Sequence, residues 1–201
     1  MKKDFDNFNI LISGVGGQGL ITLIRIIGES ALAEGYDVKT SELHGLSQRG
    51  GSVEVHLIFG KKINSPLILP GTADLILALE SQEALAAANF AHKNSIFLIN
   101  KYQTPTFTDS ITNNEIEGNL KKFFPNIFLV PANEICQQEL GTGVASGVYL
   151  LGLASFRGWI PLRSAVFLSA MKRIVPEKYL DLNLKAFNLP RKNHENYTPK
   201  R

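Results

Sequence analysis

Apolar and polar positions along this chain switch between two periods, and the switches lay out its elements. Phe8 to Ser13 (FNILIS) is a short apolar run ending in glycines, the pattern of a buried parallel strand. From Gln18 to Ala33 the apolar positions recur at helical spacing (Leu20, Leu23, Ile24, Ile27, Ala31), and Gly35 stands where a helix C-cap belongs. Asp37 to Glu42 reads as a second strand, completing a βαβ unit. Leu43 to Gly51 is a polar loop. Beyond it Val53, Val55, Leu57 and Phe59 alternate with Ser52, Glu54, His56 and Ile58, so one face of a 52–59 strand packs and the other is less buried. The loop is too short to hold a crossover helix, since a parallel connection takes about a dozen residues or more. The 52–59 strand is therefore expected to run antiparallel, which makes the sheet mixed.

The rest of the pattern extends this plan. Ala73 to Leu79 and Ser95 to Asn100 read as strands, with a helix from Ser81 to Phe90 between them and Ser81 as its N-cap. Asn113 to Phe124 reads as a helix stopped before Pro125, Ile127 to Val130 as a short strand, and Pro131 to Leu140 as a helix. After Gly141 the strands stop: 144–156, 162–174 and 176–187 all read as helices. The expected fold is α/β: a three-layer, Rossmann-like, mixed and mostly parallel sheet with helices on both faces and a helical C-terminal part. Residues 8–189 form a single domain in this reading, and 190–201 a tail.

Composition narrows the function classes. The formal net charge is +3, and much of the excess sits in the tail at Arg191, Lys192, Lys200 and Arg201. Nucleic-acid binding, which needs basic residues massed on one face, is not indicated. The single cysteine, Cys136, excludes an internal disulfide and a cysteine-ligated cluster or zinc site built by this chain alone. A reducing, cytoplasmic setting is expected, with no apolar signal segment before the first strand. No run is long and apolar enough for a membrane helix; Gly143 to Ala154 is too short and holds Ser146 and Tyr149.

Two loops carry the candidate chemistry. Gly14-Val15-Gly16-Gly17-Gln18-Gly19 fits G-x-G-x-x-G directly after a strand and opening a helix. The first glycine is expected to permit the tight turn, the second a close backbone approach, and the third helix–strand packing. Unsatisfied amides at the helix N-terminus attract anions, which suggests a phosphate-bearing cofactor; glycines that merely make a tight turn explain the same residues. An NAD site also wants an acidic residue about 20 residues on, at the end of the second strand. Lys39, Thr40 and Ser41 stand there instead, and Glu42 comes late.

The second loop, SELHGLSQRGG (residues 41–51), places His44, Ser47, Gln48 and Arg49 beside Gly50 and Gly51, beyond the end of a strand where open α/β sheets bind ligands. Together GVGGQG and SELHGLSQRGGSVEVHLIFG resemble the small, gamma-type subunit of 2-oxoacid:ferredoxin oxidoreductases. The His44-Gly45-Leu46-Ser47-Gln48 lead-in and the Asn183-Leu184-Lys185-Ala186-Phe187 ending are similar to the β subunit of the indolepyruvate enzymes within that family. The resemblance spans roughly Asn9 to Leu189.

The resemblance implies a subunit of an enzyme that oxidatively decarboxylates a 2-oxoacid with coenzyme A, giving an acyl-CoA, carbon dioxide and reduced ferredoxin. Thiamine diphosphate, magnesium and 4Fe-4S clusters would lie on a larger partner subunit. This chain has no Gly-Asp-Gly diphosphate motif and one cysteine, so it would bind none of them alone and contribute no catalytic residue or metal ligand. Gly14, Gly16, Gly17, Gln18, Gly19, His44, Ser47, Gln48, Arg49, Gly50 and Gly51 would then face a ligand or the partner's active site, with Arg49 as a bidentate donor to an anionic group. Coenzyme A, the 2-oxoacid and, through the complex, ferredoxin are the implied partners, and self-association of the isolated chain to a homodimer is compatible with the reading. Two alternatives stay open at this point: a free-standing NAD(P)-dependent dehydrogenase, and an assembly scaffold without ligand contact.

Overall fold

In the computed structural model, residues 5–45, 51–105 and 111–191 are described. The order is β1 (Asn7–Val15), α1 (Leu20–Ala33), β2 (Asp37–His44), β3 (Ser52–Gly60), β4 (Ala73–Ala78), α2 (Glu83–Ala87), β5 (Ala91–Asn100), α3 (Asn113–Lys121), β6 (Ile127–Val130), α4 (Ala132–Leu140), α5 (Ser146–Phe156), α6 (Ser164–Ile174) and α7 (Glu177–Asn188). The six strands form one sheet in the order β2-β3-β1-β4-β5-β6. β1, β4, β5 and β6 are parallel neighbours, and β3 runs antiparallel to both β1 and β2. The expected antiparallel third strand is thus present, inserted between β1 and β2.

The pleat divides the apolar residues between two unequal layers. Ile10, Ile12, Val55, Leu57, Leu75 and Leu77 face α1 and the C-terminal helices, which together form the larger core. Leu11, Ile76, Ala78, Phe97 and Ile99 face the other way and are covered by α2 and α3. Where α5 crosses α7, Gly152 lies directly against the backbone of Phe187. Among the described residues no helix is long and apolar enough to cross a membrane.

Several boundaries differ from the sequence expectation, each for a local reason. Leu43 and His44 belong to β2, not to the loop, because they complete the ladder with Glu54 and Val53. The first helix starts at Leu20, since Gly19 is left-handed and acts as its N-cap. Gly35 ends α1 as expected, at φ +77° with Tyr36 N–H donating to Ala31 O. Ser81 does not cap α2. The carboxylate of the preceding Glu80 accepts from Gln82 N–H at 2.7 Å and Glu83 N–H at 3.2 Å, and the helix is only one turn long before a 3₁₀ turn. β5 begins at Ala91 rather than Ser95, with a bulge opposite Ala73 and Leu75. α3 gains a capping box from Thr112 and Glu115. The far face of β3 is more buried than strict alternation suggests. His56 is core, because its Nδ1 accepts from Ile68 N–H at 3.0 Å, which leaves Nε2 to donate to Glu54 at 2.9 Å. A 3₁₀ turn from Leu189 to Arg191 buries Pro190; the rest of the expected tail lies outside the described residues.

Candidate functional site

The first glycine loop closes on itself. Gly14 is still in β1, and a Cβ there would lie 2.5 Å from Gln18 Oε1 and 3.2 Å from Leu79 Cβ. That same Gln18 oxygen accepts from Val15 N–H at 2.9 Å. Gly17 and Gly19 sit at φ +98° and +81°, a region that L-residues avoid. The glycines therefore divide their labour differently from the dinucleotide template: Gly17 and Gly19 make the turn, and Gly14 permits the close packing. Among the described residues no side chain caps α1, and no acidic residue lies in its first turn, so nothing described offsets its positive end.

The second loop is tied to the first. Gly16 N–H donates to Gly51 O at 3.0 Å, and Gly45 N–H donates to Ser52 O at 2.8 Å. His44 lies in the row Gly14–Val53–His44 across three strands, with its ring exposed and 3.4 Å from Glu42. The structure thus brings Gly14, Gly16, Gly17, Gln18, Gly19, His44 and Gly51 to one edge of the sheet. Ser47, Gln48, Arg49 and Gly50 lie outside the described residues.

Just past this junction Ser52 donates its hydroxyl to Glu83. Burial pushes the Glu83 carboxyl up from the ordinary range. The Ser52 hydrogen bond opposes this, and repulsion from Glu80 and Glu54 adds to it. A carboxyl with a raised folded-state value weakens folding once ionised, so stability falls as pH rises through that value. Glu83→Gln is therefore expected to raise the melting temperature at pH 7. The gain should shrink as pH falls into the carboxylate range, where wild-type Glu83 protonates. A gain independent of pH would contradict this.

A cleft of about 900 Å³ opens beside the glycine loop. Val15, Gly16, Gly17 and Gln18 form one wall, Leu79 the floor, and Asn133, Gln137 and Thr142 the other wall. It lies at the carboxyl ends of the parallel strands, where the chain goes from β1 to β2 on one side and returns through β4 on the other. That reversal is the usual ligand crevice of an open α/β sheet. Among the described lining residues Glu134 is the only charged one; the rest offer amides, hydroxyls and apolar groups. A second, more apolar pocket of about 370 Å³ adjoins it, sharing Gln18 and Val144 and walled by Leu23, Val148, Val175 and Leu182. Val144, on the ridge between the two, is 84% exposed.

Sequence reasoning did not reach the far wall. α4 has no cap on its own chain segment; Asn100, at the end of β5, supplies one from its buried side chain. Its Oδ1 accepts from Ala132 N–H at 3.1 Å and Asn133 N–H at 3.4 Å, and its Nδ2 donates to Leu79 O at 3.2 Å and Asn133 Oδ1 at 2.7 Å. A polar residue ending an apolar strand was the available signal.

The sheet order bears on the dinucleotide alternative. The inserted β3 moves the end of β2 one strand farther from the glycine loop: Glu42 stands level with Ile12, about 10 Å from β1 across two strand spacings rather than one. That works against a ribose contact. Burial pushes the Cys136 thiol up to about 11, which keeps it protonated at neutral pH. Among the described residues no three His, Cys, Asp or Glu side chains form a group that could hold a metal. The residues present do not fit an iron–sulfur cluster.

Residues 9–192 match the family model for pyruvate ferredoxin/flavodoxin oxidoreductase. The chain belongs to this family. Its relatives include the indolepyruvate oxidoreductase subunit IorB of Archaeoglobus fulgidus, 38% identical over 90% of this chain and 92% of the relative. The IorB subunit of Thermococcus kodakarensis is 34% identical over 90% and 93%. The fold is shared with the crystal structure of a pyruvate oxidoreductase subunit from Thermotoga maritima, at TM-score 0.68 and 19% identity over 94% of this chain and 97% of that one. It is also shared with a 2-oxoglutarate:ferredoxin oxidoreductase from Magnetococcus marinus, at TM-score 0.71 and 16% identity over 97% of this chain but 32% of that longer one.

Proposed function

We propose that this chain is the thiamine-free small subunit of a 2-oxoacid:ferredoxin oxidoreductase, acting on indolepyruvate or another aryl pyruvate. The complex converts the 2-oxoacid and coenzyme A to acyl-CoA and carbon dioxide, passing the electrons to ferredoxin. The observation that carries the reading is the junction of two glycine-rich loops, Gly16 to Gly51, at the open edge of a cleft on a chain with a single, buried cysteine. Such a chain completes a site; it does not supply the redox centre.

Thiamine diphosphate and iron–sulfur clusters supply the carbanion chemistry and electron transfer in this class of reaction, and on this proposal both reside on a larger partner. This chain's residues bind and orient. Gly17 and Gly19 leave space for a ligand or a partner backbone at the positive end of α1, since among the described residues nothing lies within 4 Å of a Cβ built at either. His44 stands at the same edge of the sheet, and on this proposal Gln48 and Arg49 belong to the site with it, Arg49 as the donor to an anionic group.

Arg49→Ala in the reconstituted complex tests the ligand role. Loss of one charge-assisted contact is expected to raise KM for the 2-oxoacid or for coenzyme A by about tenfold. Unchanged kinetics for both, with altered assembly, would favour the scaffold reading instead.

A further inference from the structure

The Gly51–Ser52 segment, where the two glycine loops meet, is held by three hydrogen bonds. Ser52 O accepts from Gly45 N–H at 2.8 Å, which closes the base of the second loop. Gly51 O accepts from Gly16 N–H at 3.0 Å, which ties that base to the first loop. The third bond comes from a side chain: the Ser52 hydroxyl donates to Glu83 Oε2 on α2. The strand ladder does not call for a serine here, since Ser52 pairs with Val15 at the start of β3 and is exposed. Glu83 is itself set by Glu80, whose Oε2 accepts from Glu83 N–H at 3.2 Å and whose Oε1 accepts from Thr104 N–H at 3.1 Å. Yet Glu83 stands in a poor place for a carboxylate, half-buried and repelled by Glu80 and Glu54. Stability does not explain an exposed serine and a destabilised glutamate meeting at a loop base. Residues that weaken the fold persist where function selects them.

We infer that Glu83 is a positioning residue: acting through the Ser52 hydroxyl, it holds the Gly51–Ser52 segment so that the two glycine loops meet in one arrangement at the open edge of the sheet. It touches no substrate. The inference rests on the proposed function for what that edge meets, and adds a residue outside both loops that sets their junction. α2 is a single turn and packs on the face of the sheet opposite α1. The clamp therefore reaches the junction from the other layer, and a change in α2 alters the edge while every glycine stays in place.

Glu83→Ala and Glu83→Gln both remove the charge, but only glutamine keeps an acceptor for the Ser52 hydroxyl. In the full-length ¹⁵N-labelled chain, hydrogen exchange of the Gly16 amide reports the junction. Exchange is expected to quicken about five- to tenfold in Ser52→Ala and in Glu83→Ala, the effect of losing one anchoring hydrogen bond, and to stay at the wild-type rate in Glu83→Gln. In the complex with the larger subunit, Ser52→Ala and Glu83→Ala should each raise KM for indolepyruvate or for coenzyme A about three- to tenfold, with a smaller change in kcat. Glu83→Gln should keep the wild-type KM, and Glu83→Ala on the Ser52→Ala background should add nothing. Unchanged Gly16 exchange in both alanine variants overturns the inference. So does a faster exchange that leaves both KM values alone, a Glu83→Gln protein as impaired as Glu83→Ala, or additive kinetic effects. A wild-type complex that fails to reduce ferredoxin defeats the subunit reading alone, because Gly16 exchange still decides the clamp.

Discussion

Gly152→Ala is expected to destabilise the protein by about 3 kcal/mol, which for a chain of this size lowers the melting temperature by about 6–12 °C. The added Cβ would fall inside the van der Waals shell of the Phe187 carbonyl oxygen and 2.9 Å from its carbonyl carbon. Both contacts are backbone, so no side-chain rotation relieves them; α7 must move away from α5. That movement also opens the apolar pocket, whose walls include Val148 of α5 and Leu182 of α7. Gly118→Ala is the matched control. It lies in the middle of α3 with nothing within 4 Å of the new Cβ, so helix propensity alone decides, and the change should stabilise by about 0.5–1 kcal/mol. Thermal unfolding of the two variants should therefore move in opposite directions. Equal shifts would mean that α5 and α7 do not pack as described.

Glu80→Ala carries the second large effect. Glu80 is 4% exposed, and its two oxygens take three amides: Gln82 and Glu83 at the start of α2, and Thr104 N–H at 3.1 Å beyond β5. Removing the carboxylate leaves those amides without their acceptor at a cost of about 2–4 kcal/mol. The damage is local as well as global, since Thr104 lines the cleft. Glu80→Gln keeps one acceptor oxygen and should fall between. A Glu80→Ala protein melting within about 1 °C of wild type would show that this network contributes little.

Glu80 also shows where sequence reading stops. Ser81 had the chemistry of an N-cap and the right place before an apolar run. The competing group, one residue earlier, was recognisable only once the chain's path returned Thr104 to the end of β4. The antiparallel β3 was legible for the opposite reason: a short loop leaves no room for a crossover, so local length decides direction. The glycine loop was legible as a turn but not in its division of labour, because Gly14 is forced by Leu79 and Gln18 rather than by its own dihedral angles. Of the site, one wall was foreseen from motif residues adjacent in sequence. The far wall depends on Asn100 and Asn133, which meet through the β5-β6 crossover, and no local pattern marks such a pair.

The fold places those two walls at the reversal point of the sheet and ties the two glycine loops together there, while the single thiol is buried and protonated. On the proposed function this chain completes a site for a partner that carries the redox chemistry. The most direct measurement is ferredoxin reduction, driven by indolepyruvate and coenzyme A, by the chain alone, by its larger partner alone, and by the two co-expressed. Activity is predicted only from the co-expressed pair, purified as one complex. Oxidation of substrate by the isolated chain with NAD(P), or full activity of the larger subunit without it, would contradict the account.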